Sequence, residues 1–259
     1  MRRALVTGAG QRLGRAMALY LGQRGFDVAV HYATSRTGAE ATAAEITAMG
    51  SHAVALQADL LDDAATEALL PRAAEVLGWP ITCLVNNASI FEHDDITSAS
   101  RESWDRHMGS NLRAPFVLTQ AMAGQGLRPE LDAKGEPRAT GLIVNMLDQR
   151  VRNLTPEFMT YTIAKMGLWA MTRTTAQALA PAIRVNGIGP GPTLQGHHQA
   201  AEDFATQRRN TVLARGANPE DITAALGYFI DSPGVTGQLI CTDGGEHLQW
   251  DTSPKSPRN

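Results

Sequence analysis

Tyr161 and Lys165 stand at i and i+4 in the run Tyr161-Thr162-Ile163-Ala164-Lys165, inside a segment with helical spacing. Residues so spaced share one helix face. A lysine ammonium there favours the phenolate, so the tyrosine pKa is expected to fall from ~10 towards the working pH, where its hydroxyl can give or take a proton. Upstream, the strand-like stretch Asn145-Met146-Leu147-Asp148 ends in a carboxylate. A Tyr-x-x-x-Lys pair by itself is equally a surface tyrosine over a solvated lysine. Its company argues for a site: Asn86-Asn87-Ala88-Ser89 closes an earlier strand, and Asn111 lies in the helix that follows. In chain order these residues fall at the carboxyl edge of one parallel sheet, where doubly wound folds bind ligands.

A second group of residues suits a phosphate. The first strand runs into Thr7-Gly8-Ala9-Gly10-Gln11-Arg12-Leu13-Gly14 and then a helix. A strand feeding a glycine turn and a helix start brings free N–H groups and the positive end of the helix dipole to one point, as a dinucleotide pyrophosphate requires. The second strand ends in His31-Tyr32-Ala33-Thr34-Ser35-Arg36, with no carboxylate to hold a ribose 2′-hydroxyl. Ser35 and Arg36, with Arg12 beside them, offer donors to a 2′-phosphate, which favours NADP over NAD. The plainer alternative for Arg36 is a solvated loop charge.

The elements that must position these groups are regular. Short apolar runs at 4–7, 27–32, 52–57, 82–86, 142–146, 184–188 and 239–242 alternate with helical patterns at 13–24, 37–49, 63–77, 100–123, 156–179 and 219–230. That rhythm predicts βαβ units, hence one α/β domain with a doubly wound parallel sheet of about seven strands and helices on both faces. The domain is expected to span 1–251, with a substrate loop at 190–215 and a flexible tail at 252–259. Residues 124–140, rich in Gly, Pro and charge, read as an exposed connection.

Composition excludes several classes. The chain has 259 residues, 43% hydrophobic and 19% charged, with a formal net charge of −3. It has no basic field for nucleic acid, and no apolar run of a length that spans a membrane. The apolar start at 4–8 is too short for an export signal, so a cytoplasmic location is expected. Cys83 and Cys241 make no disulfide framework or metal motif and are expected to be reduced and buried. His197 and His198 are adjacent, not i and i+4, and are read as part of the substrate loop, with no metal expected. Trp79, Trp104, Trp169 and Trp250 lack the basic interleaving of nucleic-acid stacking platforms.

Over residues 3 to about 248 the chain resembles the short-chain dehydrogenase/reductase family. The glycine turn, Asp59, the Asn-Asn-Ala stretch, Asn111, Tyr161 with Lys165, the Pro190-Gly191 loop and Asp243-Gly244-Gly245 match in order. Two departures from the commonest pattern, Arg12 in the turn and Asp148 where most members have the catalytic serine, resemble the pteridine reductase branch, including dihydromonapterin-type reductases. So do His31-Tyr32 and Asn87-Ala88-Ser89-Ile90-Phe91.

The resemblance implies an NADPH-dependent oxidoreductase that passes hydride to a C=N bond of a pterin-like substrate. Asp148, Tyr161, Lys165 and Asn111 would be the catalytic group, with Asn111 supporting Lys165 through water. The cofactor would lie against Gly8, Gly10, Arg12, Leu13, Gly14, His31, Tyr32, Ser35, Arg36, Asp59, Leu60, Asn87, Ala88, Ser89, Asn111, Met146, Tyr161, Lys165, Pro190, Gly191 and Thr193. The substrate would meet Ser89, Phe91, Asp148, Tyr161 and Gly191, with Phe91 stacking on the pterin. A homotetramer built on the two long helices is the family expectation. Two alternatives stay open: an NADP-dependent carbonyl or alcohol dehydrogenase of the same fold, such as a 3-oxoacyl-type reductase, and a non-catalytic NADP-binding regulator.

Overall fold

The computed structural model describes residues 2–196 and 199–249. The His197-His198 pair, Trp250 and the expected tail at 252–259 lie outside them. The chain runs β1 (Arg2–Val6), α1 (Arg12–Gln23), β2 (Phe26–Tyr32), α2 (Arg36–Ala48), β3 (Ala53–Gln57), α3 (Asp63–Leu77), β4 (Cys83–Asn86), α4 (Arg101–Met108) and α5 (Ala114–Gly124). A short hairpin follows, β5 (Glu130–Leu131) with β6 (Pro137–Arg138). Then come β7 (Gly141–Met146), α6 (Met159–Ala178), β8 (Ile183–Pro190), α7 (Ala201–Arg209), α8 (Pro219–Asp231) and β9 (Leu239–Thr242).

The main sheet has seven parallel strands in the order β3-β2-β1-β4-β7-β8-β9. Successive strand residues point to opposite faces, and both faces are covered. Ala4 and Val6 of β1, Cys83 and Val85 of β4, and Leu142 and Val144 of β7 pack with α1, α2 and α8. Their neighbours Leu5, Leu84 and Ile143 pack with α3, α5 and α6 on the other side. A sheet buried on both faces needs continuous apolar strands, which explains why these runs lack alternation in sequence. The order reverses between β1 and β4, and their carboxyl ends open the crevice described below.

Four expectations change in detail, three of them in the elements and one in the burial of Cys241. The helix expected over 100–123 is two, because residues Gly109–Arg113 form a π-helical turn that carries Asn111. The helix expected from 156 begins at Met159, since Phe158 has φ 55° and cannot continue a right-handed helix. The 190–215 loop contains a helix of its own, α7. Cys83 is buried and Cys241 only partly so; both are free thiols. Among the described residues no helix is long and apolar enough to cross a membrane.

Candidate active site

The glycine turn is fixed by backbone contacts. Gly8 has φ 62°, the left-handed region that favours glycine, and a side chain at Gly14 would overlap the Gly8 carbonyl. His31 holds the turn from below. Its Nδ1 accepts from the Gly8 N–H at 3.0 Å, so Nε2 carries the proton it donates to the Ala58 carbonyl at 3.1 Å. Burial lowers the His31 pKa to about 4, which keeps it neutral in that role. Asn87 ties the turn to the end of β4, its Nδ2 donating to the carbonyls of Thr7 (2.8 Å) and Gly8 (3.2 Å). The Asn87 and Ala88 N–H groups both donate to Thr7 Oγ1 at 2.9 Å.

The residues present fit a dinucleotide. Helix α1 begins without a side-chain cap and without an acidic residue in its first turn. Its first N–H groups are therefore free to meet an anion, and the glycines let that anion approach the backbone. Arg12 has φ 53°, an unusual conformation for a residue with a side chain. Its guanidinium reaches across the crevice to donate to the carbonyls of Gln195 (2.8 Å) and Leu194 (3.0 Å) in the substrate loop.

The chemistry-bearing group comes from two elements. Asp148 follows β7 and Tyr161 and Lys165 lie on the first turns of α6. The Tyr161 hydroxyl donates to Asp148 Oδ2 at 2.8 Å, and Lys165 Nζ donates to the Met146 carbonyl at 2.7 Å. The ammonium stands 5.6 Å from the centre of the phenol ring. Burial pushes the Asp148 carboxyl above its usual range and lowers Lys165 to about 8. The expected fall in the Tyr161 pKa is not what the structure gives. Burial, and then the Asp148 carboxylate that accepts its hydrogen bond, raise it well above the ordinary value, outweighing the opposing pull of Arg150 and Ser89. Tyr161 is thus held as a proton donor.

A polar network fixes the start of α6 one residue before Tyr161. Asp94 accepts from the Thr160 N–H at 3.1 Å, from Thr160 Oγ1, and from Ser103 Oγ at 3.0 Å. His107 accepts from the Glu92 N–H at Nε2, so its Nδ1–H donates to Thr160 Oγ1 at 2.7 Å. Asp94, His107 and Thr160 are all buried.

One crevice of about 540 Å³ gathers most of the residues expected from sequence: Gly8, Gly10, Arg12, Leu13, Gly14, Tyr32, Ser35, Asn87, Ala88, Ser89, Phe91, Met146, Asp148, Tyr161, Lys165, Pro190, Gly191 and Thr193. Five stand outside its walls. His31 supports the turn, as above. Arg36 is exposed and paired with Glu40 at 2.8 Å. Asp59 caps the Leu61 N–H at 3.0 Å beyond β3, and Leu60 packs against the core there. Asn111 clamps the backbone of Ile90, accepting its N–H at 2.9 Å and donating to its carbonyl at 2.8 Å. Its amide therefore positions the 89–91 segment.

Phe91 is 54% exposed and stacks on Phe158 with ring centres 4.3 Å apart, its edge towards Tyr161. Sequence reasoning passed over Phe158, the stacking partner of Phe91, and also five residues that line the crevice, Arg150, Gln199, Phe204, Gln207 and Glu246. Only Glu246 left a signal, its place directly after the Asp243-Gly244-Gly245 turn at the end of β9.

Comparison with known proteins agrees with this geometry. A family model described as enoyl-(acyl carrier protein) reductase matches residues 8–247. The chain is 30% identical over 250 residues to the 3-oxoacyl-[acyl-carrier-protein] reductase FabG of Staphylococcus aureus, covering 95% of this chain and 98% of that one. The crystal structure of FolM alternative dihydrofolate reductase 1 from Brucella suis in complex with NADP is 41% identical, with TM-score 0.89 over 97% of both chains. Its Brucella canis counterpart, complexed with NADP, is 40% identical with TM-score 0.88, covering 97% of this chain and 96% of that one. The chain belongs to the short-chain dehydrogenase/reductase family, and its likeness to the FolM structures agrees with the pteridine reductase branch of it.

Proposed function

We propose that the protein is an NADPH-dependent reductase that adds a hydride and a proton across a C=N bond of a dihydropterin or similar heterocycle. The observation that carries this is the 2.8 Å bond from the Tyr161 hydroxyl to Asp148 Oδ2. A serine hydroxyl in that place would donate to a carbonyl oxygen. A carboxylate accepts instead, and an aminopterin presents N–H donors, whereas an ionised carboxylate repels a developing oxyanion.

Bound along the glycine turn, the reduced cofactor supplies the hydride. Tyr161, kept protonated, gives the proton to the ring nitrogen, so that C=N becomes CH–NH. Lys165, anchored on the Met146 carbonyl, stabilises the phenolate that remains. Asp148 orients the phenol and accepts from the substrate's N–H groups. Gly8, Gly10, Leu13, Gly14 and Ser35 hold the dinucleotide, and Phe91 offers an exposed aromatic face to the substrate ring. The likeness to the FolM structures supports this reading, and the likeness to FabG favours the alternative, a ketone or 3-oxoacyl thioester reductase. NADPH consumption measured against dihydropterins, ketones and 3-oxoacyl thioesters separates the two. Turnover of dihydropterins is expected, and turnover of ketones alone would overturn it.

A homotetramer is also proposed. Trp104, Phe116, Ile163 and Met166 leave apolar area exposed on α4, α5 and α6. A monomeric mass by light scattering at micromolar concentration would refute that assembly.

A further inference from the structure

The crevice is also lined by Gly191, Gln207 and Glu246, which belong neither to the glycine turn nor to the Asp148, Tyr161 and Lys165 group. Glu246 is the second carboxylate among its described lining residues. The turn that delivers it leaves little freedom. Buried Asp243 accepts from the N–H groups of Gly245 (3.0 Å) and His247 (2.7 Å), and the Glu246 N–H bonds back to the Asp243 carbonyl at 3.1 Å. Gly244 and Gly245 have φ 64° and 81°, and a side chain on the first would overlap the Arg215 carbonyl. The Glu246 side chain emerges beside Gly191, where a Cβ would stand 3.0 Å from its Oε2. Oε1 accepts from Gln207 Nε2, on α7, at 3.2 Å. Among the described residues Oε2 has no donor.

We infer that Glu246 selects the substituent carried by the substrate ring: it accepts hydrogen bonds from hydroxyls on a neutral chain and disfavours an anionic one. This rests on the proposed function and extends it to which pterin is taken. An acyl chain would desolvate Oε2 and offer it no donor, which is costly for a charged group. A carboxylate-bearing tail would meet a like charge. A hydroxylated chain supplies the missing donors. Burial holds the Glu246 carboxyl above its ordinary pKa, as expected of a carboxylate without its full set of partners. Arg150 is one of the cations lining the crevice, with Arg12 and Lys165, and its charge acts against the upward shift at Glu246. Its guanidinium donates to Thr155 Oγ1 at 2.9 Å and lies 4.8 Å over the Phe158 ring.

The test compares kcat/KM for two dihydropterins that share the ring, one with a short hydroxylated chain and dihydrofolate with its anionic tail, in the wild type, Glu246→Gln and Gln207→Leu. Loss of a charge-assisted bond corresponds to roughly tenfold to a hundredfold. In Glu246→Gln the preference for the hydroxylated substrate should fall by that factor, part of it as a gain on dihydrofolate. Gln207→Leu, which removes the bond that aims the carboxylate, should shift the ratio the same way by less, and it carries the test if the first variant does not fold. A ratio within twofold of wild type in the folded variants, with both dihydropterins still turned over, overturns this inference and leaves the proposed function standing. Turnover of neither dihydropterin by the wild type overturns that function, and this inference with it.

Discussion

The two walls of the crevice are built differently. The wall proposed to hold the cofactor is largely backbone: a glycine turn and an uncapped helix start, with the Asn87 and His31 side chains clamping its peptide groups. The wall proposed to meet the substrate is side chains brought from separate elements, Asp148 after β7, Phe91 after β4, Tyr161 on α6 and Glu246 after β9. A backbone wall fails when one glycine gains a methyl group. A side-chain wall can be rewritten residue by residue without disturbing the fold, which is how one architecture hosts several substrates.

Substitutions on the two walls should therefore fail in different ways. The largest loss expected is for Tyr161→Phe, which removes the proton donor and little volume. Steady-state kinetics should show turnover reduced by about 10²- to 10⁴-fold, with cofactor affinity within a few-fold of wild type by calorimetry. Equal loss of both would mean the walls are not separable.

Gly14→Ala should behave in the opposite sense. Its Cβ would overlap the Gly8 carbonyl, and overpacking of this kind costs roughly 1–3 kcal/mol. The cofactor Kd should rise at least tenfold and the Tm should drop, whatever substrate is used. Unchanged cofactor binding would show that the turn can relax.

The pH profile distinguishes chemistry from folding. Burial lowers Lys165 from 10.5 to about 8, so its ammonium is lost as pH rises through that value. kcat/KM for the cofactor should fall above pH ~8, approaching tenfold per unit if one proton is essential. Stability responds with the other sign. Between the folded value and 10.5 the unfolded chain binds more protons at this site, so its contribution to folding rises with pH over that window. A basic limb that persists in Lys165→Met would assign the titration elsewhere.

The smallest effect is expected for Thr160→Val, which leaves His107 Nδ1–H without its acceptor and removes one bond to Asp94. An unsatisfied buried group costs roughly 1–3 kcal/mol, read as a Tm lower by several degrees. Cofactor affinity should not change.

The same contrast explains what could be read from the sequence. Strand and helix order, the glycine turn and the Tyr161–Lys165 pair follow from local patterns, since period, glycine placement and i, i+4 spacing are short-range, whereas the place of Asp148 beside them is what the family resemblance implied. The direction of the Tyr161 pKa was misjudged because it depends on burial and on a carboxylate brought in by tertiary folding. Asn111 lies in the helical region after β4 as expected, and its amide bonds to the Ile90 backbone are long-range contacts that spacing alone does not reveal. Gln207 and Phe204 were missed because α7 carries no buried face in its sequence pattern. Arg36 is exposed at the end of the second strand's loop and pairs with its helical neighbour Glu40, an i, i+4 contact that the sequence spacing allows.

The most direct measurement is the substrate preference of Asp148→Ser, which restores the hydroxyl common in the family while leaving Tyr161 and Lys165 in place. If the carboxylate is what suits the site to a C=N bond, kcat/KM for a dihydropterin should fall about a hundredfold relative to wild type, with that for a ketone rising. Dihydropterin reduction within twofold of wild type, with no gain on ketones, would contradict the account.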